Sequence, residues 1–220
     1  MLQTMRHHAK YFYVLFFIVI LTFIFWGVGV DKSERTNEIV AEVGKYKITA
    51  VEYWRAHENA VKYYREIYKD KFDEEMQKKL KVQVIDSLVD NRLLLIAAEK
   101  NNIKISDDEL SDAVMHEPAF FKDGVFNQEV YKNRLGFMNL TPDAYEAIKR
   151  KDLLVEKMSR LIELSAGTPE NELTSVSGNE ETMKAIKDAM ANDAKQKVLK
   201  AYIEGMKKEI KVVVNSELIS

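Results

Sequence analysis

No cysteine occurs in the chain, which excludes a disulfide framework, a thiolate nucleophile and any Cys-ligated zinc or iron–sulfur centre. Proline and glycine are scarce, at 3 and 8 among 220 residues, too few turn-formers for a sandwich or barrel of many short strands. No sign of charge dominates. The 33 basic and 35 acidic residues leave a net charge of -2, without the polycationic footprint that binding nucleic acid requires. Signatures of phosphate or acyl chemistry are missing as well: no Gly-rich phosphate loop, Walker sequence or G-x-S-x-G elbow is present. Histidine is nearly absent. Of the four, His7 and His8 precede a long apolar run, while His57 and His116 each stand alone in a predicted helix without an i+4 partner for a metal pair. The acidic runs Asp73-Glu74-Glu75 and Asp107-Asp108-Glu109 fall in first helical turns, where carboxylates favour the helix dipole. These patterns assign no catalytic, cofactor-binding or metal-ligating residue, and the chain reads as a non-enzyme.

What the sequence does contain begins with residues 11–30, YFYVLFFIVILTFIFWGVGV, twenty residues without a charge. A helix of that length spans about 30 Å, the hydrocarbon core of a bilayer. Tyr11, Tyr13 and Trp26 lie near its ends, at headgroup level. Arg6 and Lys10 precede the span, whereas Asp31, Lys32, Glu34 and Arg35 after it cancel, so the positive-inside rule keeps residues 1–10 cytoplasmic and carries the rest across. A cleaved signal peptide is the alternative. It calls for a shorter apolar core and a small-x-small site, for which only Gly27 and Gly29 are available.

The remainder is predicted to be mainly α, with strands at its two ends. IVAEVGKYKI, residues 39–48, alternates Ile39, Ala41 and Val43 before a Gly44-Lys45 turn, the pattern of a short hairpin. Thr49 and Glu52 fit a capping box, so a helix starts at 50, with Val51, Trp54, Val61, Tyr64 and Tyr68 as its apolar stripe. A long second helix runs from about 73 to 100, marked by Met76, Leu80, Val84, Leu88, Leu95 and Ala98. Ser106 and Glu109 form another capping box, for a helix that must stop before Pro118. Asp123-Gly124 is a turn, Asn127 caps a helix over 128–137, and Thr141-Pro142 opens one that closes near Gly167. Residues 168–182 hold four acids, no base and no apolar period, so they read as a linker. A last helix follows from 183 and ends in a strand over 211–215.

Two clusters of apolar side chains stand out as candidate binding surfaces. The stretch 115–138 carries Phe120, Phe121, Phe126, Tyr131, Phe137 and Met138, together with Met115, Val125 and Leu135, around turns rather than on one helical face. Exposed Phe and Met suit adaptable contacts with varied partners, and those six are the candidate client-binding residues. Tyr53, Trp54, Tyr63, Tyr64 and Tyr68 form the second cluster, whose spacing fits a single buried face.

Read in order, these segments resemble the amino-terminal chaperone domain of the SurA/PpiD-type periplasmic folding factors. The similarity lies in the apolar span, IVAEVGKYKITAVEYWRAHE, the helix start Ile105-Ser106-Asp107-Glu109, and the run Pro118, Phe120, Gly124, Phe126, Asn127 and Tyr131. AYIEGMKKEIKVVVNSELI resembles the family's closing helix and strand, which return to complete the domain, and the resemblance implies that this strand pairs with residues 39–43. The resemblance implies a domain built from residues 31–167 and completed by 183–220, anchored in a bacterial inner membrane by 11–30, with its bulk in the periplasm. It implies an ATP-independent holdase for unfolded secretory or outer-membrane polypeptides, near the translocon, with no cofactor and no nucleic-acid partner. In the family a parvulin-type prolyl isomerase domain separates the two parts. Residues 168–182 are far short of the roughly 50 that a domain needs. Isomerase activity is therefore not implied, though a residual one stays a third reading, beside a scaffold that docks one folded partner such as a translocon subunit or a separate isomerase.

Overall fold

The computed structural model describes residues 38–166 and 180–219. The predicted span at 11–30, the segment 1–10 before it and residues 168–179 of the linker lie outside them, and among the described residues no helix is long and apolar enough to cross a membrane. The elements are β1 (Ile39–Val43), β2 (Tyr46–Thr49), α1 (Ala50–Tyr68), α2 (Glu74–Lys100), α3 (Asp107–Met115), β3 (Phe121–Lys122), β4 (Val125–Phe126), α4 (Gln128–Phe137), α5 (Pro142–Leu164), α6 (Glu180–Glu209) and β5 (Val212–Val214). The mainly helical class is as expected. The last helix starts at Glu180 and so takes in the final three residues assigned to the linker.

Strands β2, β1 and β5 form one sheet in that order, so the terminal strand does pair with the amino-terminal hairpin. Gly44 turns that hairpin at φ +56°, and a Cβ there would meet Ile210 and Ile96 at 3.3 and 3.4 Å, two reasons for glycine at this position. The alternation read in β1 is incomplete, since Val40 is buried along with Ala41 and Val43. Both faces of β1 thus carry buried apolar residues, and Glu42 alone is exposed.

The chain forms two compact units. In the first, made of residues 38–41, 47–84 and 214–219, the Asn215 amide donates to the Val40 carbonyl at 2.8 Å. Helix α1 is capped by the Thr49 hydroxyl, which accepts from the Glu52 amide. Its inward face differs from the predicted stripe: Ala50 and Tyr53 are buried, whereas Val51, Trp54 and Tyr68 are exposed. Tyr53 and Trp54 are adjacent aromatics about 100° apart on the helix, and the Tyr53 hydroxyl settles the phase by donating to the Lys81 carbonyl of α2 at 3.3 Å. His57, a turn further on, stacks on Tyr53 at 6.0 Å and meets Trp54 edge-on at 5.5 Å. Its Nε2 is buried without a hydrogen-bond partner among the described residues.

The second unit comprises residues 42–46, 85–166 and 180–213. Here the stripe predicted for α2 widens until Leu93, Leu94, Leu95, Ile96, Ala97 and Ala98 are all buried, as befits a helix enclosed on every side. Asn102 then turns the chain at φ +54°. Helix α3 begins with a complete capping box: the Ser106 hydroxyl accepts from the Glu109 amide and the Glu109 carboxylate accepts from the Ser106 amide. Helix α5 clamps this corner, for Arg150 donates to the Ile105 carbonyl at 2.6 Å and Lys157 to the Glu109 carboxylate at the same distance. The Lys157 bond first, and the Ser106 amide after it, hold the Glu109 carboxyl below its ordinary range.

Two measurements check this account. Ser106→Ala should lower the stability of the folded chain by about 1 kcal/mol in a denaturant titration, because the Glu109 amide loses the hydroxyl that accepts from it. His57 gives the second. Burial, with Lys81 adding to it, holds its imidazole below the ordinary 6.5, so the unfolded chain binds the proton more readily than the folded one. Stability should therefore fall as pH drops through about 6.5 and level off below the folded-state value. Denaturation midpoints between pH 8 and 5 should show that slope, and His57→Gln should flatten it.

Candidate functional site

The site is built on Phe120, in the second unit. Pro118 starts a short 3-10 turn over Pro118–Phe120, and the Phe120 amide donates to the Glu117 carbonyl at 2.9 Å. From there the chain enters β3, reverses at Asp123 and Gly124, both at positive φ, and returns through β4 with Phe121 opposite Phe126. Two positive-φ residues in a two-residue loop match the twist of the flanking strands, so a turn foreseen in the sequence carries a small hairpin that was not. The Asn127 amide then donates to the Phe120 carbonyl at 2.9 Å, and the Asn127 side chain caps α4 through the Glu129 and Val130 amides.

These backbone ties fix the ring of Phe120 against three others. Edge-to-face contacts run to Tyr131 at 4.9 Å, Tyr145 at 5.4 Å and Phe126 at 6.5 Å. Ile105, Leu110, Val114 and Leu135 are buried in the same cluster. Such contacts add about 0.5–1.5 kcal/mol per pair to the area that the rings bury. Burial raises the Tyr131 phenol above its ordinary value, and the Glu146 carboxylate nearby adds to the effect.

Of the six residues proposed from sequence, two are therefore core. Phe120 is 2% exposed and Tyr131 7%, which corrects their reading as surface contacts: both rings point into the cluster because the 3-10 turn and α4 present them there. Phe121 and Phe126 are half-buried. The last two, at the end of α4, are open, Phe137 at 89% and Met138 at 50%. In the second aromatic cluster, Tyr53 is core and Tyr64 half-buried, whereas Trp54, Tyr63 and Tyr68 are exposed rather than on one buried face.

Two open grooves flank the cluster. One, of about 610 Å³, is lined by Glu117, Ala119, Phe120, Arg134, Phe137, Met138 and Tyr145. The other, of about 640 Å³, is lined by Asp107, Leu110, Ser111, Val114, Met115, Phe126, Gln128, Tyr131, Glu146 and Arg150. Tyr145 belongs to the cluster and to the first groove and was not singled out in the sequence. The periodic signal was there, since Leu153 and Leu154 lie two turns along the same helix and pack on the same cluster. Lys149 donates to Glu117 at 2.7 Å, and that bond holds the ammonium above its ordinary range.

The histidines do not join this site. His116 terminates α3, its Nδ1 2.8 Å from the Asp112 carbonyl, and is exposed. Among the described residues no three His, Asp or Glu side chains converge as a metal site. The arrangement offers apolar surface, aromatic edges and a few charges.

Comparison with known proteins agrees with this architecture. The family profile of the SurA-like N-terminal domain matches residues 1–159. The protein named Periplasmic chaperone PpiD from Escherichia coli K12 is 27% identical over 150 residues, covering 66% of this chain and 24% of that protein. Its namesake from Haemophilus ducreyi is 25% identical over 178 residues, covering 76% and 28%. The chain thus spans about a quarter of the length of the curated relatives it matches.

Truncation separates core from surface here. Phe120→Ala should cost about 3–5 kcal/mol in denaturant-induced unfolding, through lost burial and the cavity left among three rings. Phe137→Ala should change it by no more than about 0.5 kcal/mol. Similar losses at both positions would contradict the packing described.

Proposed function

The chain belongs to the SurA-like N-terminal domain family, and from that premise we propose that it is a membrane-anchored, ATP-independent periplasmic holdase. The observation that carries the reading is the pair Phe137 and Met138, exposed on the rim of a groove whose floor is the rigid ring cluster of Phe120 and Tyr145. Large apolar side chains in the open, on a firm apolar base, suit transient contact with unfolded segments. Phe121 and Phe126, half-buried in the hairpin, extend that surface. Affinity per contact is weak and broad, because a disordered client loses conformational freedom on binding.

The clients in this reading are unfolded secretory or outer-membrane polypeptides, met close to the translocon. The relatives' printed name, Periplasmic chaperone, supports the compartment and the activity class. Residues 11–30 would hold the chain in the inner-membrane lipid, with 1–10 in the cytoplasm. No prolyl isomerase chemistry is assigned: the matched domain is the SurA-like amino-terminal one, and the sequence between α5 and α6, residues 165–179, is too short for a catalytic domain.

The test is light scattering by an unfolded outer-membrane protein diluted into the full chain in nanodiscs, without nucleotide. Near-stoichiometric chain should suppress aggregation, and the Phe137→Ala, Met138→Ala double variant should lose at least about half of that effect with its denaturation midpoint unchanged. Absence of suppression, together with saturable binding to one folded translocon subunit, would replace the holdase by a docking scaffold.

A further inference from the structure

The two grooves share one aromatic cluster but differ in charge. On the Phe137 side, Glu117 is neutralised by Lys149 at 2.7 Å, and Arg134 has no carboxylate partner among the described residues. On the Met115 side, the Arg150 guanidinium is engaged by Asp107 at 2.7 Å and by the Ile105 carbonyl, and Glu146 has no cationic partner among the described residues. One groove is therefore left with a guanidinium and the other with a carboxylate, each beside exposed apolar surface: Phe137 and Met138 in the first, Met115 in the second.

We propose that the grooves sort apolar client segments by flanking charge, the Arg134 groove taking an aromatic residue next to an acid and the Glu146 groove an aromatic residue next to a base. This rests on the client-binding reading above and gives it a chemical selectivity. The physical ground is complementarity. An aromatic side chain seated in either groove brings its neighbour in the client within a few ångströms of the uncompensated charge, where opposite signs attract and like signs repel. Glu146 is half-buried and its field reaches the Tyr131 phenol, so its charge is felt inside its groove rather than only in bulk water. An internal, extended client segment is the occupant on both sides, its aromatic side chain matched to the apolar lining and its charged neighbour to Arg134 or Glu146.

Three fluorescent peptides with the same phenylalanines, flanked by Glu, Gln or Lys, provide the test by anisotropy titration of the full chain in nanodiscs. The Glu and Lys peptides should each bind about threefold more tightly than the Gln peptide, a gain typical of one exposed ion pair, and lose that gain at high salt. Arg134→Gln should remove the gain for the Glu peptide alone, and Glu146→Gln for the Lys peptide alone, with the affinity for the Gln peptide serving as the control for folding. Equal binding of all three peptides, or equal effects of both substitutions, would overturn the sorting and leave the client-binding reading in place. Failure of every peptide to bind would overturn both.

Discussion

The burial of Phe120 is the constraint on which the site depends. Its amide is tied back to Glu117 and its carbonyl forward to Asn127, so the side chain has one direction to take. Three aromatic rings meet it there edge-on. The β3–β4 turn, the cap of α4 and the first turns of α5 are all placed by reference to that ring, and the two grooves are the spaces left on either side. In the proposed holdase, a surface that must accept many shapes needs a firm base, and the cluster would provide it. The exposed side chains, Phe137 and Met138, lie on the rim.

Much of this was legible because it is local. Thr49, Ser106, Asn127 and Thr141 each cap the helix that the sequence assigns to them, since a cap is an interaction between residues two or three apart. Gly44 and Gly124 announce their turns for the same reason: few other residues adopt positive φ without strain. The pairing of the last strand with the first hairpin was also foreseen, from the resemblance rather than from spacing.

What was not legible is direction. Periodicity put Trp54 in the apolar stripe of α1, whereas the structure turns the adjacent Tyr53 inward, where its hydroxyl reaches the Lys81 carbonyl of a second helix. Phe120 and Phe121 pose the same ambiguity within a 3-10 turn and a two-residue strand, too short for any period to emerge. Composition marked the stretch 115–138 as unusually apolar but could not divide it into floor and rim. The charges that distinguish the grooves are harder still, because Arg134 and Glu146 stand out in the proposal for having no ion-pair partner among the described residues, a property of neighbours distant in sequence.

The place of β1 at the centre of its sheet bears on how the molecule is made. β2 follows it after a tight turn and can pair at once, but its other edge is filled by β5, from the opposite end of the chain. Closing so long a loop is entropically slow, and until residues 212–214 are available β1 presents a row of unsatisfied amides and carbonyls next to Val40 and Val43. By that argument the β1–β5 pairing is the last part of the sheet expected to form. During synthesis, a protein read as a guardian of unfinished chains is itself an unfinished chain with an open edge.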